Sequence, residues 1–299
     1  RGHFIEPHTG HEVPLGTLDV RRYVASFSSF SPAWARGISL PGIAYENLST
    51  TGPLHRFSAV LFIEKEGFLP LFKTIQLQER YDIAVMSTKG NSVIAARQLA
   101  DALAGYAENV LEQPLPLYVL HDFDTSGFTI LGTFTKRKSR RYKFENVLNV
   151  IDLGLRLNDI DAMELDSEEV HFGKRTPKPE TLHRNGATSE EINFLMDGRR
   201  MELNHMTSPQ MVEWIENKFA ENGIEKVVPD AEILGHAYRN LAARHKLEQI
   251  DNEHRQEIAE EFESLDVPAE IRDRVEESLV ENPALSWTTA LDRIVRSKT

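Results

Sequence analysis

The chain has 299 residues, enough for one large or two modest domains with a sizeable core, and its 40% hydrophobic and 27% charged content is that of a globular protein. It has no cysteine, which excludes disulfides, thiolate nucleophiles and Cys-ligated zinc, and its net charge of -12 argues against a protein that coats nucleic acid nonspecifically. No apolar run approaches the ~20 residues of a membrane span and no signal-peptide pattern is visible, so a cytoplasmic location without membrane contact is expected.

The first 55 residues are punctuated by Gly2, Pro7, Gly10, Pro14, Gly16, Gly37, Pro41 and Gly42, which predicts short strands and loops rather than long helices. His3, His8 and His11 lie near Glu6 and Glu12, but without a helical i, i+4 pair they read as a polar loop rather than a zinc site. Tyr23, in Val20-Arg21-Arg22-Tyr23-Val24, reads as a core or rim residue of an amphipathic strand. Residue 1 is Arg, so the sequence is expected to belong to a longer protein.

Three apolar runs follow. Ala59-Val60-Leu61-Phe62-Ile63 stops on Glu64-Lys65-Glu66-Gly67, Ile83-Ala84-Val85-Met86 stops on Ser87-Thr88-Lys89-Gly90, and Leu117-Tyr118-Val119-Leu120 stops on His121-Asp122-Phe123-Asp124. Continuous runs of this length predict strands buried on both faces, as in a parallel sheet covered by helices. Between them, Leu69, Phe72 and Ile75, then Val93, Ala96, Leu99 and Leu103, recur at helical spacing; Asn91 or Ser92 is expected to cap the second helix and Gly105 to end it. In such a βα order the strands' carboxyl ends share one edge, where open α/β sheets bind ligands. Glu64, Lys89, Asp122 and Asp124 are all predicted there.

Two unit charges about 4 Å apart repel by roughly 4 kcal/mol at an effective dielectric near 20, so clustered carboxylates call for protons or a cation. Magnesium suits a sparse acidic site, since it takes one or two carboxylates and keeps other positions for water and phosphate. The turn Thr125-Ser126-Gly127 opens a helix whose first N–H groups could receive a phosphate. A D-x-D alone is weak evidence, because an Asp at a strand end is commonly a helix cap; Glu64 on an earlier strand strengthens it. The haloacid-dehalogenase fold also has a strand-end D-x-D, but on its first core strand, and would leave Glu64 without a role.

Phe62-Ile63-Glu64-Lys65-Glu66, Ser87-Thr88-Lys89-Gly90-Asn91 through Arg97, and Leu120-His121-Asp122-Phe123-Asp124-Thr125-Ser126-Gly127-Phe128 resemble, in order, the V-E-K-x, K-G-x-P-x-x-x-x-R and D-x-D-P-x-G segments of topoisomerase VI A subunits and their meiotic double-strand-break relatives. Thr125 and Ser92 stand where that family has proline. Looser similarity continues through Asp152–Ile160, like the family's L-G-x-x-x-x-D-I element, and Arg200–Asn204, like its later E-L helix. The resemblance implies a Toprim fold: an open, mostly parallel α/β sheet flanked by helices, with a helical C-terminal region. It gives Glu64, Asp122 and Asp124 as catalytic and Mg2+-holding residues.

Directly after the helix that follows the D-x-D, Lys136, Arg137, Lys138, Arg140, Arg141 and Lys143 form a basic run. A charge run is usually a solvated loop; beside a metal site it reads as a clamp on the DNA backbone, with Lys89 and Arg97 as further phosphate contacts. The stretch from Lys143 to Leu157 predicts another strand and turn, and residues 158–188 read as polar loop. Helices are predicted from Ser189 and from Ser208, the latter with Met211, Trp214, Ile215 and Phe219 on one face and Gly223 at its end. Beyond Asp230 the chain reads as short acidic helices divided by Pro268 and Pro283, more often a partner surface than a DNA site. The expected division is an N-terminal strand and loop segment (1–55), a Toprim domain with extension (56–229) and the acidic helical region (230–299).

The expected function is a Mg2+-dependent enzyme that breaks and rejoins DNA, working as a homodimer with an ATPase partner of topoisomerase VI B type. The nucleophilic tyrosine is expected on a winged helix outside this sequence. Two alternatives use the same residues. One is an OLD-type Toprim nuclease in which water attacks, and the other is a non-catalytic DNA-binding assembly protein.

Overall fold

The computed structural model describes residues 2–7, 10–27, 57–88, 94–139, 142–170, 178–249 and 255–297. Strands β1 (His3–Ile5) and β2 (Glu12–Pro14) form an antiparallel hairpin that leads into helix α1 (Thr17–Ala25). Tyr23 therefore lies on a helix and not on a strand. Val20, Tyr23, Val24 and Phe27 recur at i, i+3, i+4 and i+7, a period that a five-residue window does not reveal.

Next come β3 (Ala59–Ile63), α2 (Leu69–Thr74), α3 (Leu77–Tyr81), β4 (Ile83–Ser87), α4 (Ile94–Leu111), β5 (Pro116–Leu120) and α5 (Thr125–Thr135). A small hairpin, β6 (Lys138–Ser139) and β7 (Tyr142–Lys143), precedes β8 (Asn149–Asp152). The main sheet has the order β2-β1-β4-β3-β5-β8. Its four inner-to-edge strands β4, β3, β5 and β8 are parallel, while β1 pairs antiparallel with β4. The expected mostly parallel α/β sheet is present, and the strand predicted after Lys143 extends it as β8.

Both faces of the sheet are covered. Ala59, Leu61 and Ile63 point to one core with Phe72 and Tyr81, and Val60 and Phe62 point to the other with Val20, Leu99 and Phe134. Every residue of β3 and β4 is buried, which is why these strands are continuously apolar rather than alternating.

Helix α4 does not stop at Gly105 but runs to Leu111. Gly105 serves close approach instead, since a Cβ there would meet the Asn146 side chain at 2.6 Å. The segment expected to be loop from 158 to 188 holds α6 (Leu157–Ala162), β9 (Glu168–Glu169) and α7 (Pro179–Arg184), each too short for a clear periodic signal. Then come α8 (Ser189–Met196), β10 (Arg199–Arg200), paired with β9, and α9 (Ser208–Glu221), which lays Met211, Trp214, Ile215 and Phe219 on the first core. Thr188 and Thr207 cap α8 and α9 through capping boxes with Glu191 and Gln210.

The C-terminal helices α10 (Ala231–Glu248), α11 (Arg255–Glu263), α12 (Ile271–Glu281) and α13 (Trp287–Arg296) enclose their own core around Leu241, Val275 and the fully buried Trp287. Arg80 of α3, 1% exposed, links α9 and the C-terminal region by donating to Glu216 and to the carbonyl of Pro283, each at 2.5 Å. No described helix is long and apolar enough to cross a membrane.

Asp101 of α4 anchors the segment after the basic run. Its carboxylate accepts from Tyr142 Oη at 2.8 Å, the backbone N–H of Asn146 at 2.9 Å and that of Glu145 at 3.0 Å. Asp101 is 4% exposed, so removing the carboxylate leaves these donors without their partner. Asp101→Ala is expected to cost about 3 kcal/mol of stability, read as a lower urea midpoint with an unchanged slope.

Candidate functional site

Strands β3 and β5 are neighbours in parallel register, with Ile63 opposite Leu120. The residues that follow them, Glu64 on one strand and His121 and Asp122 on the other, therefore emerge level at one edge of the sheet. Glu64 is pushed up from the usual 4.5 to about 7, first by burial and then by the negative charges of Asp122 and Asp124. Carboxylates some sixty positions apart in sequence thus share one electrostatic neighbourhood.

Asp122 is 4% exposed and held at both oxygens: Oδ1 accepts the backbone N–H of Leu203 at 2.8 Å, and Oδ2 meets Lys65 Nζ at 2.8 Å. Lys65 Nζ also reaches Glu202 Oε2 at 2.7 Å, and Arg200 lies 3.2 Å from Glu202 Oε1. Burial alone would lower the Lys65 ammonium, but the bonds to Asp122 and Glu202 outweigh it and raise it above the ordinary lysine value. The Arg200–Leu203 segment comes to the D-x-D through an isolated antiparallel bridge, in which Phe123 and Met201 exchange backbone hydrogen bonds of 2.9 and 3.0 Å.

Asp124 caps α5, its Oδ1 accepting the Gly127 N–H at 2.6 Å. The α5 N-terminus is therefore partly occupied by the protein's own carboxylate, contrary to the expectation of an open phosphate cradle. Burial raises Asp124 above the usual carboxylate range, and the cap bond works against this.

Behind the D-x-D lies a buried polar chain. The His121 ring is fully buried, with Nδ1 2.7 Å from the Asp122 carbonyl and Nε2 3.1 Å from Asp152 Oδ1. Asp152 Oδ2 accepts from Arg156 at 2.6 Å, and Arg156 forks onto Glu191 at 2.7 and 2.8 Å. Burial pushes Asp152 up, but the His121 and Arg156 partners and the Gly154 N–H win and hold it at about 2. Gly127 and Gly154 flank the ring so closely that a Cβ would come within 2.6 Å and 2.2 Å of it. The loops after β5 and β8 are thereby locked together beneath the acidic edge.

The donor set of Glu64, Asp122 and Asp124 is all carboxylate oxygen, the chemistry that fits a hard divalent cation, and burial together with the two neighbouring negative charges raises Glu64. Among the described residues no three acidic or histidine side chains close on one ion; Lys65 lies on Asp122 and the Gly127 N–H on Asp124. The residues fit the cation provided that Lys65 releases Asp122.

Of the expected DNA contacts, Lys136 follows α5 half-buried and bonds Asn185, and Arg137 is exposed. Lys89, Arg140 and Arg141 lie outside the described residues, as do the side chain of Lys138, the helix-cap candidates Asn91 and Ser92, and His8. Arg97 is 3% exposed on α4 and engaged within the fold. Tyr23 donates to Glu6 Oε1 at 2.7 Å inside the second core, as its core reading predicts. Lys65, Glu202 and Arg200 join the site without any local pattern that marks them as members. Lys65 and Glu202 lie within the motifs that carry the resemblance, and the Phe123–Met201 bridge and the Leu203–Asp122 bond bring them together.

No match to a curated protein is found. The family model that describes the Toprim domain of Spo11 and of the topoisomerase 6 A subunit matches residues 59–220, which is more than half of the chain and runs from β3 through nearly all of α9. The matched span contains the acidic edge, the buried chain behind it and the Lys65–Glu202 contact, and the chain belongs to this TOP6A/Spo11 Toprim family.

Proposed function

We propose that this chain is the Toprim half of a Mg2+-dependent enzyme that breaks and rejoins DNA strands, of the topoisomerase VI A type. Family membership relates the chain to DNA cleavage. The observation that carries the finer reading is the convergence of Glu64 with Asp122 and Asp124 at the shared end of β3 and β5, where burial first and the two neighbouring charges second push Glu64 up, an environment that a cation would relieve.

In this reading Glu64 and Asp122 hold the ion, with Asp124 nearby. When bound, Mg2+ supplies Lewis-acid stabilisation of the nonbridging phosphate oxygens. The protein's own contribution is orientation. The Leu203 N–H fixes Asp122, the α5 cap fixes Asp124, and the His121–Asp152–Arg156 chain keeps the loops from shifting. Glu64 is also placed to pass a proton during strand resealing when it is not holding the ion. The basic run from Lys136 holds the flanking duplex backbone, and the attacking tyrosine comes from a segment other than those described. A homodimer would place two such sites on opposite strands, with an ATPase partner of topoisomerase VI B type.

The test is cleavage of duplex DNA by the full protein with its partner, followed by denaturation to trap covalent adducts. Glu64→Ala and Asp122→Ala are each expected to lower Mg2+-dependent cleavage at least about 100-fold, and chelation of the metal to abolish it. A protein–DNA adduct is the expected product. Free ends would replace transesterification by hydrolysis of OLD type, and full activity in both variants would leave only a non-catalytic assembly role.

Arg137→Ala is expected to weaken DNA binding equally across sequences and to reduce the slope of log affinity against log salt by about 1, measured by fluorescence anisotropy.

The pH dependence follows from Glu64. Below about 7 this carboxyl keeps its proton in the folded chain and competes with the cation, so Mg2+ affinity should rise with pH up to about 7 and then level off. For folding the sign is opposite. The unfolded chain releases this proton near 4.5, so ionisation of Glu64 subtracts stability as pH rises from 4.5 through 7. Glu64→Gln should therefore gain stability relative to the parent across that window, seen as a widening difference in thermal midpoints without metal.

A further inference from the structure

Both carboxylate oxygens of Asp122 already have a partner inside the protein. Oδ1 is engaged by the buried Leu203 N–H, and Oδ2 already carries an ammonium, that of Lys65 at 2.8 Å. The same ammonium touches Glu202 Oε2 at 2.7 Å, and Glu202 is steadied on its other oxygen by Arg200 at 3.2 Å. The Lys65 side chain is one-third exposed and sits on a flexible four-carbon stem, so it can leave Asp122 without unpacking the core. The Leu203 bond cannot be given up as cheaply, because it belongs to the backbone that the Phe123–Met201 bridge holds in place.

We propose that Lys65 is a resident counter-ion that occupies Asp122 in place of the divalent metal, and that Glu202 is the anchor that keeps Lys65 when the metal takes Asp122. The inference rests on the metal site proposed above and deepens it by naming what regulates occupancy. Lys65 neutralises the acidic edge while no ion is bound, which keeps the carboxylates from driving the loops apart. The cost is a weaker apparent affinity for metal, because the ion must displace a charge that already satisfies its ligand. Glu202 lowers that cost by giving the displaced ammonium a partner within reach.

The experiment measures Mn2+ binding to the full chain, by calorimetry and by the electron paramagnetic resonance signal of free Mn2+, in the parent, Lys65→Met, Glu202→Gln and the double variant. Circular dichroism confirms that each is folded. Lys65→Met is expected to bind Mn2+ at least about tenfold more tightly than the parent, since it removes a unit charge beside the ligand. Without metal it should also melt at a lower temperature, and Mn2+ should restore more of that loss than it adds to the parent. Glu202→Gln is expected to bind more weakly, because Lys65 then rests on Asp122 alone. In the Lys65→Met background the same substitution should have a smaller effect, which separates loss of the anchor from loss of one more negative charge.

Equal or weaker binding by Lys65→Met would overturn the inference while leaving the metal site intact. Equal effects of Glu202→Gln in both backgrounds would overturn the anchoring role. Absence of Mn2+ binding in both the parent and Lys65→Met would overturn the metal site itself and this inference with it.

Discussion

Like charges at the carboxyl edge of a parallel sheet set the central constraint on this structure. Glu64, Asp122 and Asp124 stand at the ends of β3 and β5, and the upward shift of Glu64 to about 7 measures how strongly burial and its neighbours oppose its ionisation. Each remaining device near the site bears on that opposition. Lys65 places an ammonium on Asp122, a backbone N–H and a helix cap each take one carboxylate oxygen, and Arg200 and Lys65 together hold Glu202. The edge holds negative charge close together, and each of these partners offsets part of it.

Rigidity beneath that edge comes from a second set of charges, in which His121 and Glu191 are buried and Asp152 and Arg156 half-buried. His121 is enclosed between Gly127 and Gly154, and its partners run through Asp152 and Arg156 to Glu191, which also closes the capping box of α8. A buried ionic chain contributes little net stability by itself, but it penalises any displacement that would break one link and leave another charge unpaired. The loops after β5 and β8 are therefore fixed relative to each other, and a ligand at the edge meets carboxylates whose positions are already set. Two glycines make this possible, because the ring would have no room beside any larger residue at either position.

The substrate-facing features are distributed differently. The basic segment follows the carboxyl end of α5, whereas Asp124 caps its amino end, and the chain beyond that segment is anchored through Asp101, whose carboxylate gathers Tyr142, Glu145 and Asn146. In the proposed reading, attraction for a polyanion and affinity for a metal ion would belong to separately supported parts of the fold. That separation would let a net charge of -12 coexist with the proposed role on DNA.

The strands β3, β4 and β5, their parallel order and the acidic residues at their ends were legible in the sequence, because a strand buried on both faces leaves a continuous apolar run that nothing else nearby imitates. The motif order carried the family as well. Short helices were not legible: α6 and α7 span six residues each and never complete the repeat that reveals a helical face, and α1 was obscured by its arginines until Phe27 completed the pattern. Gly105 read as a helix end, whereas contact with Asn146, forty-one positions onward, is what requires a glycine there. The placement of Lys65 against Glu202, and the burial of Arg97, depended on tertiary structure alone. Side chains far apart in sequence meet only when a backbone bridge such as Phe123–Met201 fixes the distance between them, and local pattern contains no record of that distance.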